Sequence, residues 1–415
     1  MTPKIKLRID QIRRGEIPKR YIRTVSGISP TDWKRYTFGD IYTERKEPGS
    51  EELPLLMVSI HSGVSDGEVD EEDLPKKVKR IADKSQYKKA VSGDLVFNMM
   101  RAWQGAIGTV RTTGMVSPAY IVAEPNDTVY PLFMDYYTRT PQMINQIDRQ
   151  SYGVTDFRKR LYWDSFIPIG CILPPVAEQQ KIAAILTTQD KVIELKEKRL
   201  AEKQRQKKYL MQQLLTGKKR LPGFNGAWKV DRLGKLFLER KETNYEGLQM
   251  LAITGAQGII PRKELDLKDN SSEDKSKYLR VCVGDIGYNT MRMWQGISAY
   301  SDYEGIVSPA YTILKPSSSI NAKYFAYLFK TPEIIFLFYR FSQGLVDDTR
   351  NLKYENFKKI KVCYPPDTKE QTAIAEVLSA ADREIGLLRQ DIEQEKQKKK
   401  ALVQLLLTGI VRVKT

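Results

Sequence analysis

The 415-residue chain carries 68 Lys and Arg against 51 Asp and Glu, a net charge of +17, and is 41% hydrophobic. That is enough apolar material for two cored domains of ordinary size. No apolar run approaches the ~20 residues of a membrane helix, so the positive charge points to a polyanion, nucleic acid before membrane.

Residues 1–30 open with the charged stretch MTPKIKLRID, which is not a cationic, apolar, cleavable leader; no export is expected. Within this segment RIDQIRRGEIPKR reads as a short helix that packs at the end of a helical bar and joins the C-terminal tail in a circular arrangement. Residues 31–173 read as a mixed domain. LPLLMVSI, DLVFNMM and AYIVAEP are short apolar runs broken by Gly, Pro, Asn and Asp, and PLFMDYYTRT has helical character. Residues 174–220 form a helical segment. Residues 221–364 repeat the mixed pattern with LQMLAIT, DIGYNT, AYTILKP and the helix-like NAKYFAYLFKT, and residues 365–415 hold a second long helix and tail.

The two halves are a tandem duplication. WKxxxxGxxxxERKE runs from Trp33 to Glu47 and from Trp228 to Glu242; MRxWQG runs from Met100 and from Met291; VSPAY ends at Tyr120 and at Tyr311. Further on, TP at Thr140 and Thr331, Pro-Pro at 174 and 365, and LLTG at Leu214 and Leu406 keep the same order. Two copies predict two similar binding surfaces.

The helical segments carry a seven-residue stride. Leu186, Ile193, Leu200 and Leu214 repeat in the first, with Ile182 and Leu210 on the companion position. Leu378, Ile385, Ile392 and Leu406 repeat in the second, with Ile374, Ala381, Leu388 and Leu402 beside them; Lys207 and Lys399 interrupt the stripes at equivalent places. Such a stride predicts a left-handed coiled coil of helices about 37 residues and ~55 Å long. The expected partner of each is the other copy, antiparallel within the chain; the alternative is a homodimer. The fold class is therefore α+β: two similar mixed α/β domains separated by two long helices in an antiparallel intramolecular coiled coil.

Chemistry of its own is not expected. His61 is the only histidine and Cys171, Cys282 and Cys363 are far apart, which argues against metal clusters, histidine acid–base work, a disulfide framework and a zinc site. No [DN]PP[YF] loop for an extruded adenine and no GxxxxGK[ST] phosphate cradle is present. Asp190, Glu194 and Lys196 have a nuclease-like spacing but lie on the heptad helix, where charges belong to the solvated face.

Contact with DNA needs groups that grip phosphate and groups that read bases. Arg101 with Arg292, Trp103 with Trp294, Gln104 with Gln295 and Asn98 with Asn289 are identical in both copies, so they are candidates for scaffold, backbone grip or a shared base; a packed loop is the plainer alternative. Divergent positions are better candidates for sequence choice. Lys76, Lys77, Lys79 and Arg80 in the first copy face Arg262, Lys263, Lys268 and Lys275 in the second. A second divergent loop holds Arg158, Lys159 and Arg160, against Gln343, Arg350 and Asn351, with Gly153 and Gly344 as exposed bends. The basic runs Lys203 to Lys208, Lys396 to Lys400 and Lys218 to Arg220 have two equal readings, contact with DNA between the half-sites and a solvated outer face for partner helices.

With these motifs in place, the chain resembles the specificity subunit of Type I restriction-modification systems. The resemblance covers nearly the whole chain: each variable segment opens near Trp-Lys and ERKE and is closed by PPxxEQQKIAxIL at Pro174 or PPxxxEQxxIAxVL at Pro365, followed by a helix ending in LLTG and, in the first copy, KKRLPGF. It implies two target-recognition domains, 31–173 and 221–364, each reading half of a split double-stranded DNA site. It also implies a non-catalytic, cytoplasmic, prokaryotic subunit. Two modification (methyltransferase) subunits would dock on the helices and bind AdoMet there, with no cofactor in this chain; restriction or translocase subunits are further candidates. Helix length is then expected to set the gap between half-sites. A coiled-coil scaffold with two peptide- or protein-binding domains is the alternative from another class.

Overall fold

A computed structural model describes residues 3–24, 27–65, 86–155, 158–255, 258–265 and 274–414. Two compact units divide the chain: Met1–Leu195 with Ile392–Thr415, and Lys196–Asp391.

In the first unit the centre is a four-stranded antiparallel sheet in the order Tyr42–Glu44, Tyr120–Pro125, Leu95–Asn98, Ile107–Thr109. Period-two alternation puts Leu95, Phe97, Ile121 and Ala123 into one core, with Phe38, Phe133 and Phe166, and sends Val96 and Val122 into a second, smaller core with Val58, Val64 and Val116. Both faces are covered, so the strands read as continuous apolar runs. The second unit repeats the order with Phe237–Glu239, Tyr311–Pro316, Ile286–Asn289 and Ser298–Tyr300. Ile286, Tyr288 and Leu314 face the larger core, and Ile313 the smaller one with Ile253 and Ile259. Gly287 lies on that second face because a Cβ would strike Ile253.

Two helices follow the sheet in each unit. Pro131–Tyr137 and Ala322–Leu328 fall within the predicted stretches. Pro141–Gln150 and Pro332–Phe341 begin at the TP dipeptides, whose proline takes the first helical position, where its missing N–H is not needed. The two ends of each mixed segment are drawn together by a strand pair, Lys34–Thr37 with Gly170–Leu173, and Lys229–Arg232 with Lys361–Tyr364.

The long helices are Val176–Leu214 and Thr368–Leu407, of 39 and 40 residues. Each contributes to both units: residues 176–195 and 392–407 belong to the first, and 196–214 and 368–391 to the second. Rising numbers on one meet falling numbers on the other, so they are antiparallel in both units. In the first, Gln189 donates to Glu395 at 2.7 Å and Lys399 pairs with Asp190. In the second, Lys196 reaches Asp391 at 2.8 Å and Lys203 reaches Glu384 at 2.9 Å. The seam residues Leu186, Ile193, Leu214, Leu378, Ile385, Ile392 and Leu406 are buried, and Leu200 is half-buried.

The N-terminal stretch forms the helix Pro3–Arg13 in the first unit, beside the tail of the chain. Arg8 donates to the Ile410 carbonyl and the Tyr21 hydroxyl to the Gly409 carbonyl, both at 2.8 Å.

Candidate nucleic-acid interface

Each central strand that ends in asparagine runs into the MRxWQG loop, and the loop is self-clamped. Asn98 Oδ1 accepts from the Met100 N–H at 2.9 Å, and the Trp103 indole donates to the Met100 carbonyl at 3.0 Å. Asn289 and Trp294 do the same around Met291, at 2.9 and 3.0 Å. One 3₁₀ turn, Ala102–Gln104 or Met293–Gln295, ends at a left-handed glycine, Gly105 (φ 103°) or Gly296 (φ 80°). Asparagine and tryptophan are thereby occupied in holding the loop, with Asn98 buried, and Arg101, Gln104, Arg292 and Gln295 are left on the exposed side. Met100 and Met291 are each 41% exposed at the loop entrance.

The divergent loop folds beside this one. In the first unit Tyr152 and Arg160 exchange backbone hydrogen bonds at 3.0 and 3.1 Å, and Leu161 donates to the Met99 carbonyl at 2.9 Å. In the second, Gln343 and Asn351 exchange two bonds of 2.8 Å, and Leu352 donates to Thr290 at 2.9 Å. Gly153 and Gly344 sit where a Cβ would strike the opposite backbone, so they are required by the closure of the hairpin. Arg158 and Gln343 are exposed, as are Tyr152 and Val154, and Leu345 and Val346. Lys159 and Arg350 are engaged within the protein. Lys159 pairs with Asp148 at 2.9 Å with its ammonium over the Trp103 ring at 5.2 Å. Arg350 pairs with Asp347, donates to the Tyr339 hydroxyl at 2.9 Å and stacks on that ring at 4.1 Å; Tyr339 in turn meets Trp294 edge-on. The copies therefore brace the same tryptophan in different ways. Arg160 and Asn351 are half-buried at the hairpin base.

In the second unit Arg262, Lys263 and Lys275 line an open hollow of about 300 Å³. Lys76, Lys77, Lys79, Arg80 and Lys268 lie outside the described residues.

Several functions of the repeated motifs were not legible in the sequence. The arginine of ERKE is a half-buried strut on a buried aspartate: Arg45 forks onto Asp94 at 2.7 and 3.2 Å, and Arg240 onto Asp285 at 2.7 and 3.1 Å. The glutamate of the EQ motif holds an arginine beyond LLTG: Glu178 with Arg412 at 2.7 Å, and Glu370 with Arg220 at 2.6 and 2.7 Å. Those arginines also lie over Trp33 and Trp228. Arg220 is thus engaged within the second unit. The neighbouring glutamine ties Pro-Pro to the start of the helix after the sheet. Gln179 Nε2 donates to the Pro174 carbonyl at 2.9 Å and its Oε1 accepts from the Tyr130 N–H at 2.7 Å. Gln371 Nε2 donates to the Pro365 carbonyl at 2.8 Å and its Oε1 accepts from the Asn321 N–H at 2.7 Å. Arg220 and Arg412 at matching offsets past LLTG were the available signal.

Lys330 is a further unanticipated group. It donates to the carbonyls of Gly296 and Ser298 at 2.6 and 2.5 Å, beneath the second MRxWQG loop. Burial, with a smaller contribution from Lys207, pushes its pKa down to about 8.

The nuclease-like trio is dispersed. Asp190 accepts from Tyr136 at 2.6 Å and pairs with Lys399, while Lys196 pairs with Asp391. Among the described residues no group of three or more His, Cys, Asp or Glu could hold a metal, and no helix is long and apolar enough to cross a membrane.

Residues 228–397 match the Type I restriction modification DNA specificity domain. The chain is 28% identical over 268 residues to the protein assigned as the type I restriction enzyme MjaX specificity subunit of Methanocaldococcus jannaschii, a match that spans 59% of this chain and 59% of that one. It is 24% identical over 432 residues to the MjaVIII specificity subunit of the same organism, covering 93% of this chain and 94% of the other. Its fold is similar to that of the HsdS subunit from Thermoanaerobacter tengcongensis (TM-score 0.51, 18% identity, 92% and 98% of the two chains). It is also similar to the S subunit of a Type-I restriction-modification system from M. genitalium (TM-score 0.55, 13% identity, 90% and 96%). With a specificity domain matched over residues 228–397, the same sheet order and motifs in the first half, and a relative named as a specificity subunit aligned over nearly its full length, the chain is similar throughout to Type I restriction-modification specificity subunits.

Proposed function

We propose that this chain is the non-catalytic DNA-reading subunit of a Type I system: each unit reads one half of a bipartite double-stranded site, and the chain recruits methyltransferase subunits that carry AdoMet. The observation that carries this reading is the twofold surface in which a rigid loop of shared sequence, presenting Arg101 and Gln104 or Arg292 and Gln295, lies against a hairpin of unshared sequence. Arg is suited to guanine or phosphate and Gln to adenine. A shared loop supplies grip or a common base, and a divergent hairpin supplies the difference between half-sites. Two modification subunits are proposed to dock on the long helices, where Lys208 and Lys400 are exposed, with restriction subunits as further partners.

The test has two parts. Footprinting of the purified chain with its modification subunits is expected to protect one split sequence, and the chain alone with AdoMet, magnesium and that DNA is expected to leave it unmodified. Sequence-independent protection would favour a scaffold in place of a reader, and methylation by the chain alone would make it an enzyme.

A further inference from the structure

The helix Pro332–Phe341 and its counterpart Pro141–Gln150 bury matching residues, Ile334 and Phe338 against Met143 and Ile147. Their outward stripes differ. On the second helix, positions spaced by three and four place Phe336, Leu337, Arg340 and Phe341 on one side with Glu333. The matching residues of the first copy are Asn145, Gln146, Arg149, Gln150 and Gln142, all polar. Phe336 is 60% exposed, and Leu337 and Phe341 are half-buried. Leu337 and Phe341 line an open depression of about 510 Å³ together with Arg232, Lys359 and Lys361. The first copy has Thr37, Pro168 and Gly170 where those three cations stand. Phe336, Leu337 and Phe341 on the helix therefore replace uncharged polar residues of the first unit, and Arg232, Lys359 and Lys361 beside it replace uncharged ones, while Arg340 keeps its counterpart in Arg149.

We infer that this face of the second unit docks an acidic, apolar-faced helix of a partner protein, bound once per chain. Phenylalanine beside arginine is the composition of a protein interface core. Duplex DNA offers phosphates to the cations but only scattered thymine methyl groups as apolar surface, too little to cover Phe336, Leu337 and Phe341 together. An amphipathic helix with Glu and Asp flanking its apolar stripe satisfies both halves of the face, with the depression taking an aliphatic or aromatic anchor. The absence of the face from the first unit distinguishes this partner from any subunit that binds both copies alike.

The test is fluorescence anisotropy on the full-length chain. The probe is a labelled peptide of about 18 residues with Leu and Phe on one helical face and Glu on its flanks, compared with the same peptide carrying Lys in place of Glu. The acidic peptide is expected to bind and to weaken with salt. Phe336→Asn with Leu337→Gln and Phe341→Gln, the residues of the first copy, is expected to weaken it by at least about tenfold. So is Lys359→Gln with Lys361→Gln, which leaves the core untouched. DNA affinity should be unchanged in both variants. The inference is overturned if the acidic peptide fails to bind, if the Lys peptide binds as well, or if neither variant matters. It is also overturned if the lysine variant loses DNA affinity, which would assign the face to DNA, or if the chain self-associates through Phe336, which would assign it to a second copy.

Discussion

Asp94→Ala leaves the guanidinium of Arg45 enclosed without its fork partner, and Asp285→Ala does the same to Arg240; the two aspartates are 2% and 1% exposed. Removing one partner of a fully buried pair costs about 3–5 kcal/mol. Arg45 keeps Glu47 and Glu124 and Arg240 keeps Glu242, so each substitution is expected to lower the stability of its own unit by less than that, as read by denaturant titration, with the other unit unaffected. Arg101 and Gln104 should behave in the opposite way. Because the loop is held by Asn98 and Trp103, Arg101→Ala is expected to leave stability unchanged and to weaken DNA binding by about 1–3 kcal/mol. A phosphate contact would lower the slope of log affinity against log salt by about one, whereas a base contact would relax sequence choice and leave the slope. Unchanged affinity would remove the loop from the interface. Lys330 gives a pH signature. Its folded pKa is depressed to about 8 from an ordinary value of 10.5, so above pH 8 the unfolded chain holds the proton that the folded chain has released, and stability rises with pH toward 10. Lys330→Met is expected to flatten that rise; identical pH curves for the two proteins would refute it. At this scale the sequence marks which residues are shared but not what they do. Arg45 and Asp94 are 49 positions apart, and nothing local to ERKE announces a partner. Asn98 has the chemistry to read adenine and uses it instead to close its own loop.

The long helices were the most legible elements, because a seven-residue apolar stride sustained over five turns or more is rarely met outside supercoiled helices. The interruptions at Lys207 and Lys399 were legible only as exceptions. Each ammonium enters a carboxylate on the opposing helix, Asp382 or Asp190, at 2.5 Å. Each of those aspartates accepts a hydroxyl from the helix after the central sheet, Tyr327 at 2.8 Å or Tyr136 at 2.6 Å. A polar residue on an otherwise apolar seam fixes register at some cost in stability. Lys207→Leu with Lys399→Leu is therefore expected to melt no lower than the parent while losing register. With cysteine at 196, oxidation should capture cysteine at 391 alone in the parent, matching the Lys196–Asp391 pair. In the double variant it should also capture cysteine one heptad away, at 384. Capture restricted to 391 in both proteins would show that the lysines do not set register. The strands were read less sharply than the helices. Runs of three or four residues, buried on both faces, show neither alternation nor length, and the helices that begin at Thr140 and Thr331 have opposite surface character, so neither sequence predicts the other.

For the molecule as a whole, the joints argue that the mixed segments are exchangeable. Segment 31–173 enters and leaves through one antiparallel strand pair, Lys34 opposite Leu173 and Thr37 opposite Gly170. It is fastened to the helices by the polar contacts of Glu178, Gln179 and Arg412, with Asp32 and Trp33, by Tyr136 on Asp190, and by Ile182, Ala183, Leu186, Leu406 and Leu407, which share its larger core. The second segment is fastened by Glu370, Gln371, Arg220 and Trp228 in the same roles. Each unit has its own two cores, so a foreign segment that keeps the tryptophan at its start, the strand pair at its base and an apolar face for Ile182, Leu186 and Leu406 inherits a complete seat. Replacing 31–173 with the corresponding segment of another specificity subunit is expected to give a folded chain whose modified sites change in one half and keep the other. The half that stays should be the one lost when Arg292→Ala and Gln295→Ala are introduced into the chimera. Sequencing methylated adenines in cells that express the chimera with its modification subunits reads both results at once. A change in both halves would mean that the duplicated surfaces do not read DNA independently, and a chimera that folds but methylates the original site would place the reading groups outside the exchanged segment.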